Sequence, residues 1–471
     1  MRTNTAFLWQ NIDFLFENVI IVLSVQFSAP EFRDGGRGIM KKCIKLLGKS
    51  ALLIALCAAV GLALLVAAFA LPTAPMADNL AASVDTFSRE RTYPSVRALG
   101  STARLDNFTD ALMLQQAAYC ADAPLLQRTL NVYRPFAHGQ NPALMLVLLH
   151  TDAQTQPEQS SYARYWHGYL VTLKPLLSIL AYEQIRTLNA VWLAALVLGL
   201  CALMYVRKLR RYILPLLLTL LMLSPVAISM SLQFTSVFSV SMLGAIALLI
   251  WRERLLTSIE RLALFFVLIG CMTSYLDLLS YPLVAYGIPA TLAVCASEGD
   301  AKQGLRLLAA TLVGWGIGYV GMWAAKWALC ALLSGEEAGV LETICLRASM
   351  SNGGGQRTSL IRVLMRQAFF FISPAMFAGV AFALVCAAFF MARRRRDGLR
   401  LHMWQAHIGL CMLPFLWYAG TGNHAYIHCW FTYRTLAVCA FSGMCLFIAR
   451  RRPGRATPAP AAAPAHRGCR V

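Results

Sequence analysis

Met40-Lys-Lys-Cys-Ile-Lys-Leu-Leu-Gly-Lys49, followed by the apolar run Ala51–Leu71, places four lysines directly before a long stretch without a charged residue. A run of this length can cross the ~30 Å hydrocarbon core of a bilayer as one helix. Lys and Arg near the ends of a span are retained on the cytoplasmic side during insertion. The stretch therefore predicts a transmembrane helix that begins in the cytoplasm.

The same combination of apolar run and basic cluster recurs along the chain. The predicted spans are Ala51–Leu71, Thr187–Val206, Tyr212–Leu232, Phe234–Trp251, Leu262–Ser280, Tyr281–Cys295, Leu307–Leu333, Phe369–Met391, Met403–Gly420 and Thr432–Ala449. Further basic clusters lie at 207–211, 252–254, 302–306, 393–396 and 450–452. If successive spans alternate in direction, all of these clusters face one side. We therefore predict an all-α polytopic membrane protein of about ten transmembrane helices, N-in and C-in, with a large helical first extracytoplasmic loop.

The composition supports this class. Hydrophobic residues make up 58% of the chain and charged residues 14%, with a mean hydropathy of +0.58, whereas charged residues are about 25% of soluble domains. The net charge of +20 comes largely from span ends and the C-terminal tail, which favours membrane lipid over nucleic acid as partner. A multi-pass plasma-membrane location is expected. The cysteines show no zinc-type spacing, and a disulfide between Cys120 and Cys345 stays open.

Three regions are predicted. Residues 1–39 form an N-terminal extension that fits poorly with the rest of the chain. A basic and then apolar pattern begins at Met40, which is therefore the expected start of translation. The alternative is that the extension contains an interfacial helix over Phe14–Val25. Residues 40–452 form the transmembrane domain, which includes the extracytoplasmic loop 72–186. Residues 453–471, rich in Pro and Ala, are expected to be a disordered cytoplasmic tail.

Asp106 and Asp110 in the long loop are the candidate catalytic residues. On a helix they would share one face, where they could raise the pKa of one carboxylate to create a general base, or position a divalent cation. The alternative is a helix start with Asp106 as N-cap. No resident cofactor is predicted, and the divalent cation stays open.

A second group, at 162–174, combines aromatic and basic residues. Arg164 could bind a phosphate through two donors, Lys174 adds a point charge, and the tyrosines and tryptophan around His167 could stack on a sugar. An aromatic belt at the membrane interface is the alternative.

Charged residues within or beside the apolar spans form the third group. Asp277 is a functional candidate because a carboxylate near the end of a span is costly unless it is paired or solvated; a loop aspartate is the alternative. Lys326 could pair with such an acid or extend to the interface.

The fourth group lies around the last span. His424 and His428 are four apart and could share a helical face for proton transfer or phosphate contact, but the absence of a nearby acid makes a metal site a weak interpretation. Arg434 cannot lose its charge inside a span. Four more arginines favour an anionic partner or lipid headgroups outside the membrane: Arg347, Arg357, Arg362 and Arg366.

The arrangement resembles the integral-membrane glycosyltransferases of the GT-C class in its many spans and in its large first loop with an acidic motif, here Asp106 and Asp110 four positions apart. The resemblance implies inverting transfer of a sugar from a polyprenyl-phosphate-linked donor at the extracytoplasmic face. Asp106 would be the base, Asp110 would assist it, and Arg164, Lys174 and Arg434 would stabilise the departing phosphate. The alternatives are a transporter or flippase using Asp277, Lys326 and Arg434, and a surface-polysaccharide polymerase or ligase.

Overall fold

The computed structural model describes residues 37–98, 101–152, 154–335, 339–371 and 403–448. The first 36 residues, most of the predicted span Phe369–Met391 and the predicted tail 453–471 lie outside this part of the chain. The α-helices are α1 Arg37–Phe69, α2 Ala74–Ala81, α3 Val84–Glu90, α4 Asn107–Ala118, α5 Leu125–Asn131, α6 Pro142–Thr151, α7 Leu170–Leu177, α8 Tyr182–Val206, α9 Ile213–Met222, α10 Pro225–Met230, α11 Leu232–Ile250, α12 Arg252–Leu255, α13 Ile259–Leu276, α14 Leu283–Ala296, α15 Ala301–Leu333, α16 Val340–Ala348, α17 Leu360–Phe371, α18 Trp404–Gly420, α19 Gly422–Ile427, α20 Cys429–Thr432 and α21 Ala437–Ile448. Short 3₁₀ helices cover Arg210–Tyr212 and Tyr433–Leu436.

The described residues are mostly helical, which is consistent with the predicted all-α membrane class. In the described part, 6 helical stretches are long and apolar enough to cross a bilayer. They are Met40–Phe69, Tyr182–Val206, Leu232–Ile250, Ile259–Leu276, Ala301–Leu333 and Cys429–Ile448.

The predicted span Tyr212–Leu232 is not one helix. It divides into α9 and α10 at Ser224, whose φ of +58° is left-handed and which precedes Pro225. A residue before proline is disfavoured in the α conformation, and proline is well suited to begin a helix, so the chain ends one helix and starts another here.

Two of the membrane helices pack with their backbones almost in contact. A Cβ on Gly318 of α15 would lie 2.0 Å from the Val267 carbonyl oxygen of α13, and a Cβ on Gly270 would lie 2.2 Å from the Trp315 carbonyl oxygen. Small residues allow this close approach of helices in membranes.

Residues 72–181, here the long loop, are folded over the ends of the helices. The predicted helical character of this loop is seen in helices such as α6 and α7. Two antiparallel strand pairs were not predicted: β1 (Ser95–Ala98) pairs with β2 (Ser101–Arg104), and β3 (Arg134–Phe136) pairs with β4 (Glu158–Ser160). Strands of three or four residues give too little alternation to be recognised in sequence.

The motif 165–169 anchors the long loop to the membrane helices. The indole nitrogen of Trp166 donates to the Met322 carbonyl oxygen at 2.6 Å. The backbone nitrogen of Gly168 donates to the Tyr275 carbonyl oxygen at 2.8 Å. A Cβ on Gly168 would lie 2.3 Å from the Tyr275 ring, so only glycine fits. The buried Trp166 makes this an internal anchor rather than an exposed aromatic belt.

A bidentate ion pair joins the long loop to α8. Arg186 donates to the two carboxylate oxygens of Glu90 at 2.8 and 2.9 Å, and also to the side-chain oxygens of Asn107 and Tyr182. Burial raises the pKa of Glu90, but the hydrogen bonds and charge of Arg186 outweigh that effect and hold it below its ordinary value. Ionised Glu90 therefore stabilises the fold.

Glu90→Gln is expected to lower the free energy of unfolding at pH 7 by about 1–2 kcal/mol, because one charge-assisted pair is lost. The pKa of Glu90 is lower in the folded state, so its contribution is full above the unfolded value and disappears as the pH falls through the folded value. Denaturant titrations in micelles should show a difference between wild type and variant at neutral pH that shrinks below about pH 4.5. A difference independent of pH would contradict this assignment.

Candidate functional site

Asp106 is a buried N-cap. Its carboxylate accepts hydrogen bonds from the backbone nitrogen of Thr109 at 3.1 Å and from the Thr109 hydroxyl at 2.9 Å, at the start of α4. The helix-start alternative is therefore confirmed as a description of its position. Burial raises the pKa of Asp106 to about 7, and the Asp110 charge adds to the shift, while the Thr109 hydrogen bonds and the Arg434 charge oppose it. Such a carboxylate can exchange a proton near neutral pH.

Asp110 has a different environment, one turn further along α4. It is fully buried and accepts hydrogen bonds from the Tyr182 and Ser231 hydroxyls and from the backbone nitrogens of Leu232 and Gln233. Burial raises the pKa of Asp110, and the hydrogen bonds from Tyr182, Leu232 and Gln233 counteract the shift. The carboxylate thus caps the N-terminus of α11 and joins it to the long loop.

The divalent cation proposed for Asp106 and Asp110 has little support in this geometry. Both Asp110 oxygens already accept hydrogen bonds from the protein. Within the described ranges, no three His, Cys, Asp or Glu side chains are grouped to hold a metal ion.

Arg434 lies in a cage of aromatic rings. It is fully buried in the 3₁₀ turn before α21, and its guanidinium carbon lies 4.2 Å from the centroid of Phe234, 5.0 Å from Tyr433 and 5.9 Å from Tyr281. The Nε donates to the Leu223 carbonyl oxygen at 2.9 Å. This cage stabilises the cation through the faces of the rings.

The charge of Arg434 is not neutralised by a direct ion pair with any residue in the described part of the chain. Its second terminal nitrogen, Nη2, is buried without a hydrogen-bond partner. Asp106 is near enough for the Arg434 charge to lower its pKa, yet the two groups form no salt bridge. A permanent buried cation with a free donor is suited to an anionic ligand.

Two residues of the long loop, Tyr93 and Arg104, contact Trp430 at the start of the last candidate span. The Tyr93 ring lies 5.2 Å from Trp430, and the Arg104 guanidinium lies over Trp430 at 5.9 Å. The indole nitrogen of Trp430 is buried without a partner. We use the name Arg434 site for Tyr93, Arg104, Asp106, Trp430 and Arg434. Sequence reasoning missed Tyr93 and Trp430 as site residues, because no local spacing connects the two segments.

His424 and His428 lie beside this site, with ring centroids 4.8 Å apart. The Nε2 of His424 donates to the Leu279 carbonyl oxygen at 2.7 Å, so its Nδ1 carries no proton in the neutral ring. Burial lowers the pKa of His428 to about 4 and that of His424 well below its ordinary value. Both rings are therefore neutral at pH 7, and both Nδ1 atoms are buried without partners.

Asp277 acts as a loop aspartate, the alternative left open by the sequence. It follows α13 and accepts hydrogen bonds from the backbone nitrogen of Ser280 at 2.9 Å and from the Ser280 hydroxyl. Burial raises the pKa of Asp277 to about 6, and these hydrogen bonds oppose the shift. The turn presents the carbonyl of Leu279, at φ +65°, to His424. Asp277 thus positions a histidine through the backbone.

Lys174 does not lie at the Arg434 site. Its Nζ donates to the Ala117 carbonyl oxygen at 2.6 Å, near the C-terminal end of α4, whereas Asp106 caps the opposite end. Eleven residues of helix separate these positions by about 16 Å. Burial lowers the pKa of Lys174 to about 8. A cation at the negative end and an acid at the positive end of one helix stabilise that helix.

His167 and Lys326 also have internal partners. The Nδ1 of His167 contacts the Tyr169 hydroxyl at 2.9 Å and its Nε2 contacts the Tyr162 carbonyl oxygen at 2.7 Å, so neither nitrogen is free. The Nζ of Lys326 donates to the Leu130 carbonyl oxygen at 2.6 Å. Arg164, by contrast, keeps a buried Nε without a partner. Cys120 and Cys345 are both exposed free thiols.

The predicted residues therefore fall into separate places. The charge of Arg434 acts on Asp106, and His428 packs against Trp430 of the same site. Asp110, His167 and Lys174 are occupied by structural contacts of the long loop. The chain matches no protein-family model, no curated protein and no solved structure.

Proposed function

We propose that this protein transfers a sugar from a polyprenyl-phosphate-linked donor to an acceptor hydroxyl at the extracytoplasmic face of the membrane. One observation carries the proposal: a fully buried arginine with a free donor acts through its charge on a buried carboxylate of pKa about 7. These are the two groups that the reaction requires, a cation for a phosphate leaving group and a base for a hydroxyl.

In this mechanism Asp106 removes the proton of the acceptor hydroxyl as its oxygen attacks the anomeric carbon from the face opposite the phosphate. The bond between the anomeric carbon and the phosphate oxygen breaks, and its electron pair stays on that oxygen. Arg434 stabilises the additional negative charge through Nη2. The configuration at the anomeric carbon is inverted. A base with a pKa near the working pH is well matched to this proton transfer.

The proposal includes an orientation. With about ten spans and both termini in the cytoplasm, the long loop and the turn before α19 would share the extracytoplasmic side. The transport alternative needs Asp277, Lys326 and Arg434 along one path, but the first two already have partners in Ser280 and Leu130. We therefore favour the enzyme.

Arg434→Gln is expected to lower transfer of a radiolabelled hexose from polyprenyl phosphate by about 100-fold, because a donor to the developing charge is lost. Arg434→Lys should retain part of the activity, since the charge remains but the planar fork does not. The measurement is the initial rate in proteoliposomes of protein that elutes as one species on size exclusion.

Arg97→Gln is a suitable control because Arg97 is an exposed arginine of the long loop. Its transfer rate should equal that of the wild type. Full transfer activity in a correctly folded Arg434→Gln protein would remove the basis of the proposed function.

A further inference from the structure

Helix α17, Leu360–Phe371, has two opposite faces, and only one of them packs against the protein. Val363 and Gln367 are buried and lie one turn apart on the same side of the helix. The three most exposed apolar side chains of the helix are those of Ile361 (70%), Met365 (66%) and Phe369 (76%). At 3.6 residues per turn they form a stripe on the side opposite the buried pair. The helix therefore presents an apolar stripe to its surroundings.

The buried face attaches α17 to the beginning of the last candidate span, Cys429–Ile448. The Nε2 of Gln367 donates to the Ala425 carbonyl oxygen at 2.6 Å, and its Oε1 accepts from the Thr432 hydroxyl at 3.1 Å. Both partners lie within four residues of the position at which the span begins. The helix therefore lies level with one end of that span.

Two arginines occupy the edge of α17 between the apolar stripe and the buried face. Arg362 and Arg366 each follow a residue of the stripe by one position, which is about 100° around the helix. Both side chains are exposed, and neither forms an ion pair with another residue that the structure describes. The Arg366 guanidinium carbon lies 4.3 Å from the centroid of the Tyr426 ring. This contact holds one of the two charges at the edge of the helix.

The segment around the helix has a positive charge. Residues 339–371 include four arginines and one acid, Glu342. Arg357, in the turn before α17, is exposed like the two arginines of the helix. A surface of this kind complements the negative charge of an anionic lipid.

The dimensions of α17 suit a helix that lies along a bilayer surface. Its 12 residues are about 18 Å long, too short to cross the ~30 Å hydrocarbon core. In an interfacial helix the apolar face enters the acyl-chain boundary and the basic side chains stay at the level of the headgroups. The stripe and the arginine edge of α17 have this relative placement.

We propose that α17 is a binding surface for anionic phospholipid. Ile361, Met365 and Phe369 contact the acyl chains, and Arg362 and Arg366 bind the phosphate of the headgroup through paired hydrogen bonds. A soluble phosphate would leave the apolar stripe in water, and a zwitterionic lipid would bring a positive charge to the arginines. The inference goes beyond the proposed transfer and is tested without any sugar donor.

The first test measures lipid affinity, with the full chain in neutral detergent micelles titrated with phosphatidylglycerol. Binding to the folded state raises the midpoint of thermal unfolding, which intrinsic tryptophan fluorescence reports. Arg362→Gln/Arg366→Gln is expected to weaken phosphatidylglycerol affinity by about 10-fold or more, because two charges at the headgroup are lost. Arg91→Gln/Arg97→Gln removes the same net charge from two exposed arginines of the long loop and should bind as the wild type does.

Equal affinity in the two double variants would overturn the proposal, because any loss would then follow net charge alone. Equal stabilisation of the wild type by phosphatidylcholine would also overturn it, since the surface would not select anionic lipid. If the α17 double variant does not fold, the single Arg362→Gln variant replaces it, because the Arg362 side chain is exposed. Its affinity should fall by about 5-fold, and wild-type affinity would refute the surface.

The second test identifies what covers the apolar stripe. Photoreactive benzoylphenylalanine replaces Phe369 or Phe370 in the full chain, in nanodiscs of phosphatidylglycerol, and mass spectrometry identifies the adducts. At position 369 the label belongs to the stripe and should crosslink to lipid. Position 370 is the matched control, because the Phe370 ring stacks on Tyr433 with centroids 6.4 Å apart and should crosslink within the protein.

The other outcomes at position 369 would each contradict the proposal. A crosslinked dimer would place a second copy of the chain on this face. A crosslink to another segment of the same chain would show that protein covers the stripe. The absence of any adduct would place the stripe in water.

Discussion

Asp106→Asn is expected to lower the rate of sugar transfer by about 100-fold to 10,000-fold, the usual range for loss of a general base. The asparagine side chain keeps an oxygen to accept the hydrogen bond from the Thr109 backbone nitrogen, and asparagine is as good an N-cap as aspartate. The helix start should therefore survive while the proton acceptor is lost. The initial transfer rate in proteoliposomes provides the measurement.

The pH dependence gives a second test of the same role. Because Asp106 must be ionised to accept a proton and its pKa is about 7, wild-type transfer should rise with pH up to about 7 and then level off. The residual activity of Asp106→Asn should lack that rise. An unaltered rate in the variant, or a wild-type rate that falls between pH 5 and 7, would exclude Asp106 as the base.

Asp110→Asn is expected to lower the free energy of unfolding by about 3 kcal/mol or more. The Asp110 carboxylate accepts from two hydroxyls and two backbone nitrogens, and an asparagine would place an NH₂ group against some of these donors. The N-terminus of α11 would then lack its buried counter-charge. Denaturant unfolding in micelles, together with the yield of monodisperse protein, measures the loss.

The two aspartates are controls for each other, since the same chemical change is made four positions apart. Asp106→Asn should reduce transfer with little loss of stability, and Asp110→Asn should reduce stability, with transfer falling only as folded protein is lost. A stable Asp110→Asn protein without activity would instead assign the catalytic role to Asp110. The structural contacts of Asp110 would then be secondary.

Much of the chemistry of single residues was predictable from local sequence. Asp106 as an N-cap follows from its position before a helical segment, and Asp277 as a loop aspartate follows from the interruption between two apolar runs. The break at Ser224 was missed although Pro225 marks it, because the surrounding residues are apolar enough to suggest one span. At this position the apolar residues favour one continuous span, whereas the proline favours a break in the helix. The effect of the proline on the backbone is the stronger of the two.

Hydropathy and the positions of basic residues were sufficient to establish a helical protein with several candidate membrane spans, because the energy of placing each segment in a bilayer depends mainly on its own residues. The tertiary structure decided which charges meet. It places Asp106 within reach of the charge of Arg434 and packs Tyr93 against Trp430, while Lys174 lies at the far end of α4. Such pairings depend on how distant helices pack, and packing is a property of the whole chain that no local pattern encodes.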